Sequence, residues 1–223
     1  MNNHPSDLKA AVIGATGLIG SELINLLCDH VAIGTVNCIT RKPIALSHPK
    51  QVNSAFDPAD EQSLKNAIGK TDLIFCAIGT TFKKVKGDLT AYRKIDHDIP
   101  LWAARHGAEI KCRHFSLVSA IGADTKSKNY YLKIKGDTEE DIRSLNLAST
   151  AIFRPSLLLG KRKEQRPLEA AGRLLMNPFS FLIPSRYKPI HAHDVAKAMA
   201  AEALASRAGF HILYYREMKA HCR

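Results

Sequence analysis

Short apolar runs and longer amphipathic stretches alternate along most of the chain. Runs of strand length fall near residues 9–13, 35–40, 50–55, 72–78, 112–119 and 148–153, with a last one near 209–215. Apolar residues at helical spacing fill the intervals near 17–29, 60–68, 88–107, 129–146 and 193–206. Such alternation predicts a parallel sheet wrapped by helices on both faces. "TDLIFCAIG" and "HFSLVSA" are apolar nearly throughout, as strands covered on both sides must be, and belong at the sheet centre. Pro100 falls inside the long 88–107 stretch, where its ring and missing N–H must start or kink a helical turn. The expected architecture is α/β, a Rossmann-type doubly wound parallel sheet in a single domain over 1–223. The segment 156–190 breaks the alternation with a basic patch, four prolines and the apolar "LLMNPFSFLIP". It predicts a small C-terminal elaboration on the substrate side, able to close over a pocket.

The first strand runs into "GATGLIG", and its three glycines sit where strand hands over to helix. Gly14 permits the sharp turn out of the strand, Gly17 lets backbone approach a pyrophosphate, and Gly20 lets the helix pack tightly on the strand. The free N–H groups of the helix N-terminus then face the phosphates. Glycines can also serve a loop sterically, but at the first strand–helix junction of an alternating chain they point to a dinucleotide site. An NAD site places an acid at the end of the second strand to hold the ribose 2′-hydroxyl. No Asp or Glu occurs between Asp29 and Asp57, and the second strand ends "CITRKP", with Arg41 and Lys42 where a 2′-phosphate would lie. The expected cofactor is therefore NADP(H) rather than NAD(H).

Charge and cysteine content narrow the classes further. The formal charge is +11, from 32 Lys and Arg against 21 Asp and Glu. The cations are scattered, in modest clusters at Lys83–Lys84–Lys86, Lys126–Lys128 and Lys161–Arg162–Lys163, without aromatic interleaving. That argues against nucleic-acid binding and for a basic surface around a phosphate-bearing ligand. The five cysteines, Cys28, Cys38, Cys76, Cys112 and Cys222, form no C-x-x-C pair. Reduced thiols in a cytoplasm are the expectation. His191 and His193 flank Ala192 without any H-E-x-x-H pattern, so no metal site is assigned. No apolar run approaches the ~18 residues of a membrane span, and the N-terminus lacks a secretory apolar region.

"NYYLKIKG" places Tyr131 and Lys135 at i and i+4, neighbours on one helix face. An ammonium beside a phenol favours the phenolate, which would let Tyr131 pass a proton to or from a substrate oxygen while Lys135 also holds a ribose. Ser119, at the end of the fifth strand, offers a hydroxyl to the same oxygen. Helix packing is the competing reading of Tyr131, and the Tyr215–Lys219 pair repeats the spacing in what reads as a terminal strand and tail.

Together, "GATGLIG", "FCAIGTT", "HFSLVSAIGAD", "YLKIKGDTEE" and "FRPSLLLGKR" resemble an atypical short-chain dehydrogenase/reductase. The nearest group is the compact NAD(P)H-binding one, NmrA-like and similar to the human Tat-interacting protein and its bacterial relatives. The likeness runs from about residue 9 to 206. It implies that Gly14, Gly17 and Gly20 carry the pyrophosphate, with Thr16, Leu18 and Ile19 in the same cofactor set. It implies that Arg41 and Lys42 hold the 2′-phosphate, that Asp57 in "FDPAD" faces the adenine, and that Gly79, Thr80 and Thr81 line the cofactor. Ser119, Tyr131 and Lys135 correspond to the reductase triad, and Pro155 to the turn beside the nicotinamide. Ala120 stands where many relatives carry a second serine, and Asp194 in "HAHDVAKAMA" reads as the cap of the next helix.

The implied activity is NADP(H)-dependent hydride transfer to or from a small carbonyl or alcohol. The alternative is a non-catalytic NADP(H)-sensing module that binds a protein partner. Relatives are often labelled nucleotide-sugar epimerases, but barely 70 residues follow Pro155, little for a nucleotide-holding domain. The expected partner is a small substrate or a protein; an oligomer is compatible with the sequence.

Overall fold

Strands β1 (Leu8–Ile13), β2 (Ile33–Thr40), β3 (Gln51–Ala55), β4 (Leu73–Cys76), β5 (His114–Val118), β6 (Ser149–Phe153) and β9 (Gly209–Leu213) form one seven-stranded sheet in a computed structural model. The structure describes residues 7–160 and 184–222. The strand order is β3-β2-β1-β4-β5-β6-β9, and every pairing is parallel. Order reverses between β1 and β4, where Ile13 pairs with Ile39 on one side and Cys76 on the other. In open parallel sheets the crevice at the carboxyl ends of such strands is where ligands bind.

The helices are α1 (Leu18–Asp29), α2 (Glu61–Ile68), α3 (Leu89–Arg93), α4 (Ile99–Glu109), α5 (Tyr130–Ser144), α6 (Ala192–Ala205) and α7 (Tyr215–Ala220). Alternating strand residues feed two cores. Val12, Phe75 and Phe153 pack with Leu23 and Leu27 of α1 and Met199 of α6. Ile13, Ile74 and Leu117 pack on the other face with Leu64 of α2, Ala104 of α4 and Ile142 of α5. All four residues of β4 are completely buried, which explains its unbroken apolar run. Asp60, Asp88 and Asn129 cap α2, α3 and α5 through their side chains, fixing where each helix starts.

Three features differ from expectation. The 88–107 stretch is not one helix but α3, a π turn over Lys94–Asp98, and α4 with Pro100 in its first turn. Pro100 has no N–H to return to the Asp96 carbonyl one turn back, and the Thr138 hydroxyl donates to that carbonyl at 3.1 Å. The last strand stops at Leu213, and Tyr215 opens a helix rather than lying in a strand or tail. The cause is a local cap: the Tyr214 amide donates to Glu217 at 3.0 Å, and Met218 is buried beneath. The elaboration assigned to 156–190 lies mostly outside the described residues. Its two ends are joined by a short parallel pair, β7 (Leu158–Leu159) with β8 (Ile190–His191).

Candidate functional site

At the end of β1, Gly14 adopts φ +87, a conformation L side chains rarely take, and a Cβ there would lie 2.7 Å from the Ala77 carbonyl oxygen. The turn therefore needs glycine on two counts. Gly17 donates its amide to the Gly14 carbonyl at 2.9 Å and forms the N-cap of α1. No side chain caps that helix, and its first turn carries no acid. A Cβ on Gly20 would collide with the Gly14 carbonyl, so the helix rides directly on the turn. Thr16 is exposed, Leu18 half-buried, and Ile19 points into the core, which leaves backbone and the Thr16 hydroxyl as what this stretch can offer a ligand. Uncapped first-turn amides, no acid in that turn and bare backbone fit an anionic pyrophosphate.

Beyond β2, Arg41 and Lys42 are both exposed. Their turn is fixed from below: the Thr40 hydroxyl donates to the Lys42 carbonyl at 2.7 Å, and Asn53 Nδ2 donates to Thr40 Oγ1 at 2.8 Å. Asp57, exposed just after β3, uses one carboxylate oxygen to accept the Ala59 amide at 2.8 Å. After β4, residues 77–80 touch both sides of the crevice. Ala77 abuts Gly14, and the Thr80 amide donates to Asp96 Oδ2 at 2.8 Å. Gly79 is exposed, and Thr81 Oγ1 accepts the Lys84 amide at 3.3 Å.

Helix α5 sorts the two adjacent tyrosines. Tyr130 leans into an aromatic cluster with Phe82 and Tyr92, ring centroids 5.8 and 6.0 Å away, and its hydroxyl donates to the Leu89 carbonyl. Tyr131 lies on the side of Lys135 and interacts with it electrostatically. The Lys135 side chain is 5% exposed, and its Nζ is 2.9 Å from Asp96 Oδ1. Burial alone would push this ammonium down, but Asp96, Tyr131 and Cys76 together outweigh burial and raise it above the usual lysine value.

Ser119, directly after β5, is buried and donates its hydroxyl to Glu139. Glu139 in turn accepts from Arg154 Nε at 3.0 and 3.1 Å and from Nη2 at 2.5 Å. Arg154 Nη1 reaches the Tyr214 hydroxyl at 3.0 Å. Pro155 is buried, and its carbonyl accepts the Ile121 amide. Asp96, Glu139 and Arg154 are site residues that motif reading did not single out. Glu139 carried one signal, its place four residues after Lys135 on the same helix face; Asp96 and Arg154 carried none.

Other candidates have different roles. His193 pairs with Glu22 at 3.0 Å. Asp194 is not the cap of α6, whose N-cap is His191; it sits inside the first turn and pairs with Lys219 at 3.0 Å. The helix starts earlier than the motif suggested, which moves the acid from the cap to a position facing the positive end of the helix dipole. All five cysteines are free thiols, and burial pushes Cys38 and Cys112 up to about 11 and Cys76 to about 12. Among the described residues, no group of three or more His, Cys, Asp or Glu is placed to hold a metal, and no helix is long and apolar enough to cross a membrane.

The sequence pattern of the NAD(P)H-binding family matches residues 14–206. This chain belongs to that family. The family is defined by binding of a nicotinamide dinucleotide. "Protein FMP52, mitochondrial" of Coccidioides immitis is 31% identical over 214 residues, covering 89% of this chain and 87% of its own. The protein of the same name from Debaryomyces hansenii is 33% identical over 208 residues, covering 88% of this chain and 89% of its own. Among solved structures, the Bordetella bronchiseptica enzyme WbmH in complex with NAD+ superposes with a TM-score of 0.72 at 17% identity, covering 93% of this chain and 75% of that one. That likeness is one of fold. The relatives' names correct the cytoplasmic expectation. Free thiols fit a reducing compartment and do not say which one.

Proposed function

We propose that this protein is an NADP(H)-dependent oxidoreductase of the short-chain dehydrogenase type, acting on a small carbonyl or alcohol. The observation that supports it most is Lys135, an ammonium kept charged in a buried site one helical turn from Tyr131. A positive charge placed there lowers the cost of a phenolate, which is what an acid/base tyrosine requires. Tyr131 would carry the proton exchanged with the substrate oxygen, and Lys135 would also reach the ribose. The amides of the β1–α1 turn would take the pyrophosphate, Arg41 and Lys42 the 2′-phosphate, and Asp57 the adenine. Gly79, Thr80, Thr81 and Pro155 would line the remainder. When bound, the nicotinamide supplies or accepts a hydride. The relatives' names extend the proposal to a mitochondrial setting.

Ser119 favours a second reading. Its hydroxyl is already donated to Glu139, so one triad member is engaged in a structural network, as it would be in an NADP(H)-sensing module that binds a protein partner. Fluorescence titration with NADPH and NADH, followed by NADPH oxidation against a broad carbonyl panel, tests both readings. The enzyme reading expects NADPH to bind at least about tenfold more tightly, a gap of about 1.4 kcal/mol that Arg41→Ala largely erases, and turnover with some member of the panel. Equal affinities contradict the cofactor choice. Tight NADPH binding with no turnover anywhere in the panel favours the sensor.

A further inference from the structure

Asp96 sits in the π turn between α3 and α4, its side chain 2% exposed. Both of its carboxylate oxygens are used, one by Lys135 Nζ at 2.9 Å and the other by the Thr80 amide at 2.8 Å. Its backbone carbonyl receives the Thr138 hydroxyl. One residue therefore ties the loop after β4 to two positions about one turn apart on α5. The next residue repeats the tie: His97 bridges Asp98 of its own turn and Asp141 of α5, each at 2.8 Å. A π turn inserted in a helix commonly marks a functional position, and this one is what brings Asp96 across to α5.

We propose that Asp96 is a positioning residue whose carboxylate keeps Lys135 an ammonium and holds it in register with residues 79–81, so that cofactor binding and the acid/base tuning of Tyr131 depend on one buried ion pair. The inference rests on the role proposed above for Lys135. The titratable groups acting on that lysine are Asp96 from the π turn, Cys76 from β4 and Tyr131 from its own helix. Cys76 stays a thiol with a pKa of about 12, and Asp96 is the group among them at ion-pair distance from Lys135 Nζ. Burial is the largest single influence on Lys135 and opposes the charged form. Without the carboxylate the ammonium would be unpaired in an enclosed site and would give up its proton.

The test compares parent, Asp96→Asn, Lys135→Met and the double variant. Asp96→Asn retains an oxygen for the Thr80 amide and removes only the charge. In NADPH fluorescence titrations from pH 6 to pH 9, the ratio of parent to Asp96→Asn affinity should grow at least about tenfold as Lys135 neutralises in the variant. Lys135→Met should bind weakly at a constant ratio to the parent. A purely structural role for Asp96 would weaken binding equally at every pH, and a constant ratio for Asp96→Asn overturns the proposal. Melting temperatures of the ligand-free proteins form a second arm that needs no cofactor, so a parent that fails to bind NADPH sinks the function proposed above while the hold of Asp96 on Lys135 is still decided by the melts. Each single variant should melt well below the parent, and the double variant well above the sum of the two losses. Additive losses overturn the ion-pair account. Should Asp96→Asn not fold at all, the double variant must; failure of both to fold also overturns it.

Discussion

At the β1–α1 turn the crevice wall is backbone, brought close because Gly14, Gly17 and Gly20 have no side chain to keep it apart, and no charged group takes part. Across residues 77–80, the inner face of α5 is built the opposite way. Two ion pairs, Lys135 with Asp96 and Arg154 with Glu139, are enclosed there, and every oxygen of both carboxylates has a donor. The first region depends on volume: a single added carbon is felt in proportion to what it displaces. The second depends on charge balance, where removing one partner leaves the other buried and unpaired, and the loss is abrupt. A cofactor spanning the crevice would meet a rigid, nearly neutral cradle at its phosphates and an electrostatically set site at its reactive end.

The largest effect should come from breaking a pair on the α5 side. Arg154→Met leaves Glu139 enclosed without its counter-ion and should lower stability by about 3–5 kcal/mol in urea unfolding. Adding Glu139→Gln to it should recover most of the loss. A double variant no better than Arg154→Met would show that the pair matters as packing rather than charge.

A third solution to burying polarity sharpens the contrast. His114, in β5, is buried between the hydroxyls of Ser149 at 2.7 Å and Ser116 at 2.8 Å. Burial, with a smaller contribution from His211, lowers its pKa to about 4 from an ordinary value of 6.5. The imidazole is neutral when folded and takes up a proton more readily when unfolded, so acid favours unfolding. The stability it protects is complete above pH 6.5 and lost as the pH falls from there to about 4, by on the order of 3 kcal/mol. His114→Gln should flatten the stability profile across that window. An unchanged slope would place the acid sensitivity elsewhere.

Smaller effects separate the glycines of the cradle. Gly20→Ala drives a Cβ into the Gly14 carbonyl and should cost about 1–3 kcal/mol of stability. At Gly17 the backbone is extended, and a Cβ would sit 3.1 Å from the same carbonyl oxygen. Gly17→Ala should therefore cost under about 1 kcal/mol in stability yet weaken NADPH binding by about tenfold or more, because the methyl stands where phosphate approaches. Thermal melts paired with fluorescence titrations read both numbers. Normal NADPH affinity in Gly17→Ala would make the turn a steric device only.

The same contrast explains what could be read in advance. The cradle lies within seven consecutive residues, so the spacing of its glycines and the apolar strand before them carried its whole description. The seven main strands were equally legible: β4 is apolar on both faces, and β5 is nearly as buried although His114 and Ser116 lie on one face of it. The α5 site is assembled from segments far apart in the chain. Tyr131 and Lys135 were visible as a helical pair, whereas nothing in "RKIDHD" marks Asp96 as enclosed while Asp98 is left partly open to solvent. That outcome is decided by the π turn, whose extra residue per turn is a tertiary accommodation and not a propensity. The same limit applies to Tyr215, whose helix depends on the Glu217 carboxylate folding back on the Tyr214 amide.

In the proposed function α5 carries the chemistry while the β1–α1 turn carries the cofactor, and Tyr131→Phe separates the two most directly. Removing one hydroxyl from the α5 face should leave NADPH affinity within about twofold of the parent and lower turnover of a carbonyl substrate by ~10²–10⁴, the usual loss for one positioned acid/base. Tyr130→Phe, whose ring belongs to the Phe82–Tyr92 cluster, should keep most activity and serves as the control. A Tyr131→Phe protein that turns over at the parent rate would contradict the account.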